Sequence, residues 1–195
     1  LMKKIPFACF AVLLLAACGT TKPSTFYVLD SNAFHAESKT SENADNIKIG
    51  IEPVFVPNYL NRPQIVIRDD DGVTLKISEF NRWAEQIGDV FPRVLAAAIS
   101  ETAKYPAAKQ INLNRDLFPY RLFVEVLRFD AVFGKEAVLD AWWTIMTRDG
   151  KTIRRERVTL TEPAGGTYAA VVASEQKLIA RFGAAIGTYA KKNLK

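Results

Sequence analysis

Three consecutive segments of strand length, joined by two short turns, most constrain how this chain can fold. The segments cover residues 120–133, 137–147 and 152–161. The turns between them contain Gly134-Lys135 and Asp149-Gly150, and an Asp-Gly pair is a strong signal for a two-residue hairpin loop. A meander of three antiparallel strands is therefore predicted. Such a sheet has an apolar face that other elements must cover.

One long amphipathic helix is predicted before this meander in the sequence, and another after it. Apolar residues recur at three- and four-residue spacing from about Glu79 to Lys104 and from about Thr167 to Lys192, which is the helical period. Pro92 lies inside the first stretch, where a proline costs roughly 3 kcal/mol and bends or breaks a helix. We therefore expect a kink there, or two helices that meet near Asp89.

Shorter strands and turns are predicted ahead of the first helix. The strand patterns lie at 26–29, 47–56, 64–68 and 73–77, a proline-containing turn covers 57–63, and Asp69-Asp70-Asp71-Gly72 forms a hairpin turn. With the meander this gives six or seven strands and two helices. The predicted fold class is α/β: a single domain with a mixed, mostly antiparallel sheet packed by two long amphipathic helices.

The first 17 residues have the pattern of a secretory signal. Two lysines precede an apolar run from Ile5 to Ala17, and this run is shorter than the roughly 20 residues that span a bilayer. The run ends in Leu15-Ala16-Ala17-Cys18, which resembles the bacterial lipobox. A plain secretory signal with an incidental cysteine is the alternative. The expected organisation is a lipoprotein signal peptide (1–17), a lipidated tether (18–25) and one domain (26–195).

Lipidation of Cys18 implies a membrane anchor. Two or more acyl chains, such as palmitate, hold a protein stably on a bilayer. Gly19 follows the cysteine, and the absence of Asp at this position favours the outer membrane. Cys9 is lost with the signal, so Cys18 is the sole cysteine of the mature chain. An intrachain disulfide is therefore excluded.

The residue inventory argues against catalysis. His35 is the only histidine and lies in a polar segment, so Ser-His-Asp, Cys-His and His/Cys zinc sites are excluded. A calcium loop starting at Asp69 would need Glu at its twelfth position, where Phe80 stands. The mature chain carries a net charge of +3, because the signal removes two of the 26 basic residues against 21 acidic ones. We expect no enzyme, metal, cofactor or nucleic-acid partner.

Three segments resemble one known family. Residues 57–66, PNYLNRPQIV, resemble the stretch P-x-Y-L-D-R-P-Q-I-V of the ABC-type transport auxiliary lipoproteins, the PqiC-like family. Residues 80–85, FNRWAE, resemble its x-x-R-W-A-E stretch, and residues 26–29, FYVL, its Y-Y-x-L strand. Asn61 replaces the usual Asp, and Gln86-Ile87 replaces the usual Pro-Leu.

The resemblance implies a compact α/β domain on an outer-membrane lipoprotein that faces the periplasm. It implies an MCE-domain periplasmic protein and inner-membrane transport components as partners, in a system that moves lipids between membranes and supports envelope integrity. Self-association into a homo-oligomer is a further expectation. An alternative function is a periplasmic carrier that holds an acyl chain in its own cavity. Six aromatic residues are candidates for its lining, or equally for an ordinary core: Phe118, Phe123, Phe129, Phe133, Trp142 and Trp143.

The two longer motifs supply the candidate partner-binding residues, which are Tyr59, Leu60, Arg62, Pro63, Gln64, Arg82 and Trp83. Tyr59 and Trp83 are of the type that anchors interfaces. Arg62 is expected to pair with an acidic partner or with Glu85 of its own domain. The alternative is that the two motifs pack against each other inside the domain, with the turn fixing the start of the helix.

Overall fold

The computed structural model describes residues 22–30, 48–104, 106–109 and 118–194. The signal peptide, Cys18 and the segment around His35 lie outside these residues. The described part contains eight strands and two helices: β1 (Thr25–Tyr27), β2 (Ile49–Ile51), β3 (Gln64–Arg68), β4 (Leu75–Trp83), α1 (Ile87–Ala103), β5 (Ala107–Lys109), β6 (Tyr120–Ala131), β7 (Glu136–Thr147), β8 (Thr152–Pro163) and α2 (Tyr168–Asn193).

The predicted meander forms one side of the sheet, with β8 at the edge. Strand β6 pairs antiparallel with β7, and β7 pairs antiparallel with β8, each over most of its length. Gly134 and Gly150 sit in the two connecting turns with φ of 69° and 90°, a conformation that glycine adopts without strain. These strands and both turns were predicted correctly from the sequence.

The other edge of β6 is shared by two branches of the same sheet. At its start, β6 pairs parallel with β2, which in turn pairs parallel with β5. At its end, Ala131 pairs parallel with Ile67 of β3, and β3 continues through β4 to β1. All eight strands therefore belong to one mixed sheet whose longest ladders are antiparallel, which confirms the predicted fold class. The proline-containing turn at 57–63 lies between the two branches.

Both helices pack on one face of this sheet and on each other. The ring of Phe91 in α1 meets Phe129 of β6 edge-on at 5.6 Å, and Tyr189 of α2 meets Trp143 of β7 at 5.4 Å. Helix α2 carries Lys191 and Lys192 in its last turn, where their charges suit the negative end of the helix dipole. No described helix has the length and apolar character that a bilayer crossing requires.

The helices approach each other closely at two glycines of α2. A Cβ atom on Gly183 would lie 2.5 Å from the Cβ of Ala98, and one on Gly187 would lie 2.8 Å from the Cβ of Thr102. The contacts advance in the same direction along both helices, so α1 and α2 run roughly parallel. Only a residue without a side chain fits at this crossing.

The predicted start of the first helix at Glu79 is wrong. Residues 79–83 extend strand β4, and α1 begins at Ile87. The spacing of Phe80, Trp83 and Ile87 fits a helix, but pairing of this segment with β1 and β3 decides its conformation. Local periodicity is a weak signal when two neighbouring strands offer hydrogen bonds to the same backbone.

Pro92 does not divide the helix. Residues 87–103 form one continuous α-helix with Pro92 in its second turn. The predicted pair of helices meeting near Asp89 is therefore wrong, because that residue lies in the first turn of α1. The proline removes one backbone donor, and burial of its ring compensates part of this cost.

Candidate partner-binding surface

The 57–63 segment is a compact succession of turns. The backbone N–H of Leu60 donates to the carbonyl of Pro57 at 2.9 Å, and the N–H of Arg62 donates to the carbonyl of Leu60 at 2.8 Å. The side chain of Leu60 is buried in the core. The turn is therefore shaped by its own backbone hydrogen bonds and attached to the core by one apolar side chain.

Tyr59 ties the same turn to a buried carboxylate on β6. Its hydroxyl donates to Oδ2 of Asp130 at 3.1 Å, and Asp130 is fully buried. Arg68 of β3 donates to both oxygens of Asp130, from Nε at 2.9 Å and from Nη2 at 2.7 Å. Arg128 adds a further bond from its Nε at 2.9 Å. We call these four residues the Asp130 cluster.

The charge balance of this cluster keeps the carboxylate ionised. Burial alone would raise the pKa of Asp130, but the hydrogen bonds and charges of Arg68 and Arg128 outweigh it and hold the pKa below its ordinary value. Burial, followed by the negative charge of Asp130, raises the pKa of Tyr59 to about 12. The cluster is thus a paired, hydrogen-bonded network that fixes the turn. Its three donor residues, Tyr59, Arg68 and Arg128, share Asp130 as their acceptor.

The second motif lies directly beside the first. The backbone N–H of Trp83 donates to the carbonyl of Pro63 at 2.6 Å, and its side chain is buried. Gln64 of β3 stands opposite Arg82 of β4 in the sheet. The two motifs therefore pack against each other within the domain. The helix start that the turn was expected to fix lies further along, after the end of β4.

The predicted site residues divide into two groups in the structure. Leu60 and Trp83 are core residues, and Tyr59 is half-buried with its hydroxyl on Asp130. The remaining four reach solvent at least in part: Arg62, Pro63, Gln64 and Arg82. We call this second group the motif surface. Its backbone is held from beneath by the buried members of the same motifs.

Arg62 does not pair with Glu85. Both oxygens of Glu85 accept from Arg93 of α1, at 2.6 and 2.9 Å. The Nε atom of Arg62 is buried and has no hydrogen-bond partner among the described residues. A buried, unpaired donor costs free energy, but an acceptor on a partner cannot reach a buried atom, so Arg62 can contact a partner only through the exposed part of its side chain.

The Asp69-Gly72 segment is a hairpin turn, as predicted. The N–H of Asp69 donates to the carbonyl of Thr74, and Oδ1 of Asp71 accepts from the N–H groups of Val73 and Thr74 at 2.9 and 2.8 Å. Across the described ranges, no three His, Cys, Asp or Glu residues are grouped so as to hold a metal ion. The carboxylate of Asp71 therefore stabilises the hairpin turn.

The aromatic residues considered for a lipid cavity face opposite sides of the sheet. Trp143 contacts Tyr189 on the helix-covered side, whereas Trp142 lies under the guanidinium of Arg155 at 4.7 Å. Adjacent residues of a strand point in opposite directions, so these two rings cannot line the same cavity. Phe129 packs on Phe91 as part of the ordinary core.

A buried acid on α2 was missed in the sequence. Glu175 is 2% exposed, and within the part of the chain that the structure describes its Oε2 has no hydrogen-bond partner. It falls in the apolar stripe of α2 between Val171 and Leu178, at a spacing of four and three residues. That spacing was a usable signal, because an acid on the buried face of a helix is rare. Burial, followed by the negative charge of Asp130, raises the pKa of Glu175 well above its ordinary value of 4.5.

Glu175→Gln is expected to remove a pH dependence of stability. The folded state binds a proton on Glu175 that the unfolded state releases above pH 4.5, so the free energy of unfolding falls by up to about 1.4 kcal/mol per pH unit from there until the raised pKa is reached. Urea unfolding of both chains between pH 5 and 9 measures this. The difference between the two curves should shrink or reverse as pH rises. Parallel curves would show that Glu175 is ionised alike in both states.

Comparison with known proteins finds a matching family model and solved structures of similar fold. The family model described as ABC-type transport auxiliary lipoprotein component matches residues 27–187. A crystal structure of an uncharacterized protein superposes with a TM-score of 0.65 at 20% identity, covering 89% of this chain and all of that one. The crystal structure of protein XCC0632 from Xanthomonas campestris gives 0.62 at 16% identity, covering 74% of this chain and 84% of that one. A comparison with curated proteins finds no match.

At these identities the two solved structures show a shared fold. The family model extends from β1 into the last turns of α2 and includes both motifs and the Asp130 cluster. It therefore covers well over half of the sequence. The chain belongs to the family of ABC-type transport auxiliary lipoprotein components.

Proposed function

We propose that this chain is a non-catalytic, lipid-anchored component of an MCE-type intermembrane lipid transport system. In this proposal it sits at the outer membrane, faces the periplasm and supports envelope integrity through protein–protein contacts. Its partners are an MCE-domain periplasmic protein and inner-membrane transport components. Family membership supports the auxiliary transport role, and the more specific assignment rests on the motif surface and the expected anchor.

The construction of the motif surface is the observation that carries the proposal. Four partly or fully exposed residues lie on a turn and a strand end that the buried side chains of Leu60 and Trp83 anchor in the core: Arg62, Pro63, Gln64 and Arg82. A surface held in this way loses little conformational entropy on binding. Arg62 and Arg82 are both partly exposed cations, which suit a partner that presents carboxylates or carbonyl oxygens.

Recovery of partners tests the proposal. The detergent-solubilised lipoprotein, captured through a C-terminal tag, is expected to bring down an MCE-domain protein. The double variant Arg62→Ala/Arg82→Ala should weaken this recovery by about tenfold or more. Lys76→Ala, which removes an exposed cation from the hairpin beyond the motif surface, is the matched control and should leave it unchanged. Equal recovery with all three chains would remove the motif surface from the proposal.

Loss of the anchor is expected from Cys18→Ser. The serine hydroxyl does not accept the lipid, and without acyl chains the mature domain has no stable hold on a bilayer. The wild-type chain should sediment with membranes, and the variant should remain in the aqueous fraction or keep its uncleaved signal. Mass spectrometry of the N-terminal peptide checks this directly. An unmodified Cys18 in the wild-type chain would contradict the proposed anchor.

A further inference from the structure

Two apolar side chains, Phe26 in β1 and Val28 directly after it, are exposed on the same side. Phe26 is 61% exposed and Val28 is 57% exposed, whereas Leu29 is buried and Tyr27 packs against the core. Alternate residues of an extended chain point the same way, so Phe26 and Val28 face outward together. Strand β1 is the last strand of its branch and pairs only with β4 among the described strands.

The position of β1 in the chain limits what can cover these side chains. Phe26 lies eight residues after Cys18, and eight residues span at most about 28 Å when fully extended. A relaxed tether of this length has an end-to-end distance of roughly 16 Å, which is about the radius of gyration of a domain this size. If Cys18 holds the chain on a bilayer, β1 is the part of the sheet nearest to that bilayer.

We infer that Phe26 and Val28 dock on the lipid surface and orient the domain relative to the membrane. This inference rests on the proposed lipid anchor at Cys18. Apolar and aromatic side chains partition into the interfacial region of a bilayer, and the tether keeps their local concentration there in the millimolar range or above. A short polar tether alone would leave the domain free to rotate, whereas this second contact fixes which face it presents.

The docked orientation places the motif surface at the level of the lipid headgroups. Arg82 is the register partner of Phe26 in the sheet, and Gln64 is the next residue across. Strands in a sheet lie about 4.8 Å apart, so the motif surface begins about one strand away from the docked strand. A transport partner would therefore contact this chain close to the membrane surface. The β3–β4 hairpin extends away from this contact. The β3 partners of Arg82 and Leu75 are four residues apart, so the tip at Val73 lies roughly 20 Å from Arg82.

A single engineered thiol tests the docking. Val28→Cys is labelled with a fluorophore sensitive to polarity, in the otherwise intact lipoprotein, and reconstituted into phosphatidylethanolamine/phosphatidylglycerol vesicles with or without a spin-labelled quencher lipid. The lipidated sulfur of Cys18 does not compete for the label. Val73→Cys is the matched control, since Val73 is also a valine and is 81% exposed. Equal thermal unfolding midpoints of the two labelled chains and the parent chain establish that each is folded.

We expect the quencher lipid to reduce the fluorescence at position 28 by about twofold or more and to leave position 73 nearly unchanged. Adding Phe26→Asp to the labelled Val28→Cys chain should abolish most of the quenching. Equal quenching at 28 and 73 would overturn the inference, as would shielding of position 28 that grows with protein concentration, which indicates a second copy. Mass spectrometry of the Cys18 peptide distinguishes failure of the proposed anchor from failure of the docking. An unacylated peptide overturns the anchor, whereas an acylated chain with an unquenched label overturns the docking alone.

Discussion

Asp130→Ala is expected to lower the free energy of unfolding by about 3–5 kcal/mol. The substitution leaves the guanidinium of Arg68, which is 16% exposed in its side chain, beside Arg128 and the Tyr59 hydroxyl with no common acceptor. A buried charge that loses its partner retains its full desolvation cost. Urea unfolding of the non-acylated Cys18→Ser chain, with and without Asp130→Ala, measures the difference.

Asp140→Ala is the matched control for this prediction. Asp140 accepts two bonds from Arg157 at 2.9 and 2.6 Å on the neighbouring strands, but the side chain of Arg157 is 51% exposed. Exposed pairs of this kind contribute about 1 kcal/mol or less. Similar losses from Asp130→Ala and Asp140→Ala would show that the Asp130 cluster does not hold the 57–63 turn as we describe.

The Asp130 cluster also has a pH signature. Because the folded-state pKa of Asp130 lies below its unfolded value of 3.8, its stabilising contribution is complete above that value and is lost as pH falls through the lowered pKa. The stability difference between the parent chain and Asp130→Asn should therefore be constant near neutral pH and shrink in strong acid.

Gly183→Val is expected to cost about 3 kcal/mol or more. Its Cβ would lie 2.5 Å from the Cβ of Ala98 and 3.3 Å from the carbonyl oxygen of Leu95, so the two helices must separate along their shared contact. Overpacking typically costs 1–3 kcal/mol, and a β-branched residue adds atoms on the side of the neighbouring helix. The midpoint of thermal unfolding measures the loss.

A compensating change separates the clash from other effects of the substitution. Gly183→Ala introduces only the Cβ, and Ala98→Gly removes the atom that it meets first. The double variant should therefore be less destabilised than the sum of the two single variants, by about 1 kcal/mol. Gly88→Ala serves as control, because its Cβ would meet only a side-chain atom of Val56 at 3.9 Å. Strict additivity would contradict close helix contact at Gly183.

The meander was predictable because its signals are local. The Gly134-Lys135 and Asp149-Gly150 turns each join two strands that are adjacent in the sequence, and β7 between them pairs with those two sequence neighbours, β6 and β8. The parallel pairing of β2 and β3 with β6 was not predictable, because it joins segments that are about 65–70 residues apart in sequence. The same non-local pairing made residues 79–83 a strand despite their helical spacing.

The candidate site was located by sequence but not resolved into its parts. Motif resemblance selected Tyr59, Arg62 and Trp83 together, whereas only the fold separates the buried Trp83 from the partly exposed Arg62. Asp130 gave no sequence signal, since a single acid in a strand most often faces solvent. Its role depends on Arg68, which the chain places 62 residues away. The acceptor of the Tyr59 hydroxyl could therefore not be identified without knowing that β3 and β6 pair.

Site-specific photo-crosslinking in intact cells tests the central claim most directly. A photoreactive amino acid at position 64 lies within the motif surface, and one at position 73 lies at the exposed hairpin tip. We predict an adduct between position 64 and an MCE-domain protein, lost when the chain carries Arg62→Ala and Arg82→Ala, with no such adduct from position 73. Adducts of equal yield from both positions, or none with any envelope transport protein from position 64, would contradict the account.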